Sequence, residues 1–74
     1  MKLPLVSSDK VLKFLFKKGF SVVRQRGSHI SLHKKESNTT LLVVVPRRSE
    51  IKKGTLLSIL RQAKVKRDEF INEI

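Results

Sequence analysis

Between Phe20 and Pro46 the chain reads FSVVRQRGSHISLHKKESNTTLLVVVP, and this stretch constrains the fold more than any other. Val22 and Val23 mark the first run as extended, HISLH alternates apolar with polar side chains, and TTLLVVV is rich in branched apolar residues. Gly27-Ser28 is a two-residue reversal, with glycine where a type II′ turn requires positive φ. KESNTT supplies a second reversal, longer and looser. Pro46 has no N–H to give to a ladder and ends the third strand. The stretch is a three-stranded antiparallel meander.

A sheet of this kind covers one face with helices and leaves the other wet. The helices flank it in sequence. Ser7 or Ser8 caps the first, and Asp9 suits its positive end. Val11, Leu12, Leu15 and Phe16 then recur at helical spacing, Phe14 widens the buried face, and Gly19 closes the helix. Helix returns near Lys53, where Leu56, Ile59, Leu60 and Ala63 form a core stripe beside Leu57. DEFINEI offers Phe70, Ile71 and Ile74 to a short closing helix. The expected fold is α+β, one domain over residues 1–74 in the order α-β-β-β-α(-α).

Ile30 and Leu32 point to one side of the middle strand, so His29, Ser31 and His33 point to the solvent side. The surroundings are basic. Seventeen Lys and Arg against six Asp and Glu give a formal net charge of +11, which favours a polyanionic partner. Basic residues occur in every segment and do not line one helix face, which argues against a membrane surface. The longest apolar run, Leu41 to Val45, is too short to span a bilayer, and the start lacks the pattern of a secretory signal. The absence of cysteine excludes disulfides and thiolate metal sites and fits a reducing cytoplasm. The two histidines have few carboxylates near them, a poor metal set, so neither metal nor other cofactor is expected.

Taken together, KKGFSVVRQRGSHISL, then VVVP, then KKGTLLSILRQAKVKRDEF is similar to the HicA (YcfA-like) toxin family, over about Val11 to Phe70. The resemblance implies a double-stranded-RNA-binding-domain-like fold and a type II toxin–antitoxin toxin that cleaves mRNA. It implies a HicB-type antitoxin partner, expected to be acidic, and it makes the histidine of Gly-Ser-His, here His29, the catalytic residue. Many members carry a histidine shortly after the strand-ending proline, where this chain has Arg47 and Arg48.

The chemistry expected at His29 is general-base removal of the proton from an RNA 2′-hydroxyl. Histidine's ordinary pKa of about 6.5 keeps both of its forms populated near neutrality. His33 lies roughly 13 Å farther along the strand and cannot share the same phosphate, which leaves it a surface residue or a backbone-phosphate contact. With Gly27-Ser28 as the loop, Arg26 lies across from His29 and Arg24 across from Ser31, placing both guanidiniums on the histidine's face and Val22 with them. Lys52 and Lys53 stand just before the second helix, where the resemblance suggests contacts with RNA phosphates. Ser28 either touches phosphate or satisfies the turn, and Gly54 and Thr55 shape the helix entrance. A non-catalytic RNA- or DNA-binding module of the same fold is the alternative, and His29 alone separates the two. The third strand, apolar on both faces, is covered either by the C-terminal helix or by a partner.

Overall fold

The computed structural model describes residues 3–74. It has α1 (Ser8–Lys17), β1 (Ser21–Arg26), β2 (His29–Glu36), β3 (Thr39–Pro46), α2 (Lys53–Gln62) and α3 (Arg67–Glu73). The strands form one antiparallel sheet in the order β1-β2-β3. The expected α+β order is therefore the observed one.

Ser7 caps α1, its hydroxyl accepting from the Lys10 N–H at 3.2 Å. Gly19, at φ +97°, takes the left-handed conformation that ends the helix. Val11, Leu12, Phe14 and Leu15 form the buried arc, whereas Phe16 is 49% exposed. Phe14 is buried as expected, whereas Phe16, placed in the apolar stripe from its spacing, is not. The position of Phe14 is set by α3: Phe70 meets Phe14 edge-on, with ring centroids 4.9 Å apart, and draws it into the core. Lys18 completes this junction by pairing with Glu69 and Glu73, its ammonium lying over the Phe14 ring.

The first turn is tight, as expected. Gly27 has φ +58° and Ser28 does not have positive φ, the pattern of a type II′ turn. The second reversal differs from expectation. It is not long and loose: Glu36 pairs with Thr39, leaving Ser37 and Asn38 as a two-residue loop, and Ser37 takes φ +50°. A serine in the position that usually calls for glycine concealed the tight turn.

The register pairs Arg26 with His29 and Arg24 with Ser31, then Val22 with Leu32. Val23 is an extra residue in a β-bulge, and it returns Val22 to the face of Leu32. The bulge thereby keeps both arginines in register with the histidine's face without leaving Val22 there. Every residue of β1 is nevertheless exposed, because the helices pack over β3 rather than over β1.

Along β3, Leu41, Val43 and Val45 are buried, while Leu42 and Val44 face outward. Beneath the sheet, Leu32 and Val43 meet the helical residues Leu15, Leu56, Ile59 and Phe70 in one core. Each of these side chains contributes about 1.5–3 kcal/mol by leaving water. A second device joins the segments before α1 and before α2: Val6 bridges Ile51, whose N–H donates to the Val6 carbonyl at 2.7 Å. Next to it, Ser8 is a buried polar residue, and its hydroxyl donates to the Arg48 carbonyl at 3.0 Å. Among the described residues no helix is long and apolar enough to cross a membrane.

Candidate nucleic-acid interface

His29 is the first residue of β2, immediately after the turn, with Arg26 opposite it on β1 and Pro46 opposite it on β3. Period-2 alternation sends it outward while its neighbour Ile30 enters the core. It does not stand on a flat surface. On the β3 side it forms one wall of a cleft of about 470 Å³, within the size range of small-ligand sites.

The other wall is α2. Lys52, Thr55, Ser58, Ile59 and Gln62 line it, at spacings that put them along one side of the helix. Val44 and Pro46 of β3 provide an apolar floor, and Arg48 closes one end. The helix is held against the strand by Gln62, whose side-chain oxygen accepts from the Val44 N–H at 3.2 Å. That N–H is not used in the sheet, so α2, and not the C-terminal helix named from the sequence, meets the outer edge of β3 at this one amide.

Two segments fix the floor of the cleft relative to the histidine. The Arg47 N–H donates to the Ser28 carbonyl at 2.6 Å, which carries the β2–β3 pairing past Pro46 and up to the turn. Arg48 is then held by Ser8 from the opposite side. The arrangement gathers positive charge, hydroxyl groups and a small apolar surface beside an imidazole. Such a combination suits a sugar–phosphate segment: cations and hydroxyls for the phosphate, apolar carbon for the sugar.

Of the residues singled out in the sequence, the structure brings His29 and Lys52 into one cleft. Arg24 and Arg26 share the histidine's sheet face but sit on β1, on the side of His29 away from β3, and do not line the cleft. Lys53 and Ser28 do not line it either. Ser28 instead offers its carbonyl to Arg47. His33 lies opposite Leu42, farther along β2. Thr55, assigned only to shaping the helix entrance, is a wall residue.

Arg48, Ser58 and Gln62 were missed as site residues. A signal for the helical ones existed: Lys52, Thr55, Ser58 and Gln62 make a polar stripe at roughly helical spacing beside the apolar stripe of Leu56, Ile59, Leu60 and Ala63. Among the described residues no group of three or more His, Cys, Asp or Glu side chains is placed to hold a metal ion.

A search of curated proteins found no match for this chain. The family described as the HicA toxin of bacterial toxin–antitoxin systems matches residues 8–65 of the 74, a span that includes α1, the whole sheet and α2. The chain belongs to the HicA toxin family.

Proposed function

We propose that this protein is an endoribonuclease toxin that cleaves mRNA in the cytoplasm without a metal, with His29 as general base. The observation that carries the reading is the placement of His29 in the wall of a cleft that also contains Lys52, Arg48 and two hydroxyl side chains. RNA brings its own nucleophile. His29 takes the proton of a 2′-hydroxyl, the freed oxygen attacks the adjacent phosphorus in line, and the bond to the next 5′-oxygen breaks. The products are a 2′,3′-cyclic phosphate and a 5′-hydroxyl. A positioned base of this kind contributes about 10²–10⁴-fold.

Lys52 binds the scissile strand through phosphate, and the hydroxyls of Thr55 and Ser58 accept or donate to the same backbone. Arg24 and Arg26 extend the positive surface on the other side of His29 and guide the incoming strand. Lys53 and Ser28 contribute at the margin of the site. The +11 formal charge draws the polyanion in, and it calls for an antitoxin of HicB type with acidic residues toward this surface.

The test is cleavage of single-stranded RNA by purified protein in EDTA, compared with His29→Ala. The variant is expected to keep its circular dichroism spectrum and its affinity for RNA while losing cleavage. Undiminished cleavage by the variant would remove the histidine from the mechanism. Binding by the unaltered protein with no cleavage at all would favour the RNA- or DNA-binding module, which shares the charge and the fold.

A further inference from the structure

The cleft of His29 holds a second cation, Arg48, whose backbone is fixed by hydrogen bonds to Ser8. Arg48 follows the end of β3, in a stretch with no regular secondary structure. Its carbonyl accepts from both the N–H and the hydroxyl of Ser8, each at 3.0 Å, and its own N–H donates back to that hydroxyl at 3.2 Å. Ser8 spends its whole side chain on this, and it is buried at 3% exposure to do so. One residue earlier, the Arg47 N–H is tied to Ser28, next to His29. The chain is therefore clamped on both sides of the point where it delivers Arg48 to the cleft.

We propose that Arg48 stabilises the negative charge on the departing 5′-oxygen, as a catalytic partner of His29; this assignment rests on the ribonuclease reading given above. A reaction with one general base assigns no acid to the leaving group; no carboxylic acid lines the cleft, and Lys52 is the residue given to the strand phosphate. His33 lies roughly 13 Å along the strand from His29, too far to serve. A guanidinium answers the need differently from an acid. It does not give up its proton, but it presents a fork of donors to an oxyanion and to a phosphate oxygen together.

The steps balance as follows. His29 takes the 2′-hydroxyl proton, the O2′–P bond forms, and the P–O5′ bond breaks with its electron pair on O5′, beside Arg48. That alkoxide takes a proton from water, and the hydroxide so formed takes the proton held by His29. The other charged groups around Arg48 are Lys52 across the cleft and, on its far side, Asp9 and Arg47, which line the adjoining depression with Ser7, Ser8 and Ser49.

The experiment compares the unaltered protein, Arg48→Gln, Arg48→His and His29→Ala on one single-stranded RNA from about pH 5 to pH 9. The Ser8 bonds reach only main-chain atoms of Arg48, so the substitutions leave the clamp intact, and circular dichroism checks this. Arg48→Gln is expected to lower kcat by about 10²–10³-fold, the loss typical of one oxyanion donor, with KM changed much less. Arg48→His is expected to give a bell-shaped profile with part of the lost rate recovered at its maximum, rising as the general base loses its proton and falling as the new histidine loses its own, so that a descending limb appears that the unaltered protein lacks. A rise in KM with kcat intact, or an Arg48→His profile shaped like that of the parent, would overturn the assignment. If the parent cuts, His29→Ala does not, and Arg48→Gln cuts at full rate, Arg48 alone is wrong. If the parent does not cut, or His29→Ala cuts as well as the parent, the underlying reading fails first.

Discussion

Replacing Phe70 tests how far the packing extends beyond the part of the chain that the family match covers. Phe70 sits in α3, past residue 65, yet it is fully buried and its ring meets Phe14 at 4.9 Å and 84°. Removing a buried phenylalanine side chain costs about 3–5 kcal/mol in lost transfer energy and cavity. A domain of 74 residues has a total stability of about 4–11 kcal/mol, at roughly 0.05–0.15 kcal/mol per residue. Phe70→Ala should therefore remove about a quarter of the stability at least, and all of it at the low end. With a urea m-value near 1 kcal/mol/M, as expected for so small a domain, the midpoint falls by about 3 M or more. The chain has no tryptophan or tyrosine, so far-ultraviolet circular dichroism is the suitable probe. A milder cycle, Phe14→Leu with Phe70→Leu, keeps most of the apolar area and isolates the edge-on contact, for which a coupling of about 0.5–1.5 kcal/mol is expected. A midpoint shift under about 1 M for Phe70→Ala would mean that α3 is an appendage and that Phe14 owes its burial to something else.

Two glycine substitutions should act in opposite directions although each adds only one methyl group. Gly27→Ala meets no atom within 4 Å but must adopt φ +58°, which costs about 1 kcal/mol in a denaturant titration, whereas Gly54→Ala has the same open space inside α2 and should gain about 0.5 kcal/mol. Hydrogen bonds from Lys18 first to Glu69 and then to Glu73 raise its pKa above the ordinary lysine value. Stability from a raised pKa is complete below the unfolded value, about 10.4, and is lost as pH climbs through the folded one, so the alkaline loss should be smaller in Lys18→Met than in the parent when unfolding is followed against pH. A parent and variant with the same alkaline profile would show that the junction holds without the ion pairs.

Much of this fold is readable in local pattern, and what is not readable depends on long-range packing. Leu56, Ile59, Leu60 and Ala63 announce their helix through spacing alone, and all four are buried. Ile30 and Leu32 likewise fix which way His29 faces. Spacing placed both Phe14 and Phe16 toward the core, but only Phe14 has a partner there, Phe70, more than fifty positions away. The bulge at Val23 has no signature in its own residues; it is the means by which Arg24 and Val22 satisfy opposite faces at once. At the site, His29 and Lys52 were legible because a turn and a helix start mark them. Arg48, Ser58 and Gln62 were not, because they become neighbours of His29 only once α2 has settled alongside β3.

A three-stranded sheet has two edge strands through which a second molecule could pair. Here they are closed by unlike means. On β3 a helix lies against the strand and its glutamine takes up a spare amide, while on β1 the extra valine twists the strand and two arginines charge it. Neither rim presents a straight, neutral template to a second molecule. The two rims therefore differ in kind: one carries a helix contact, the other a bulge and two arginines.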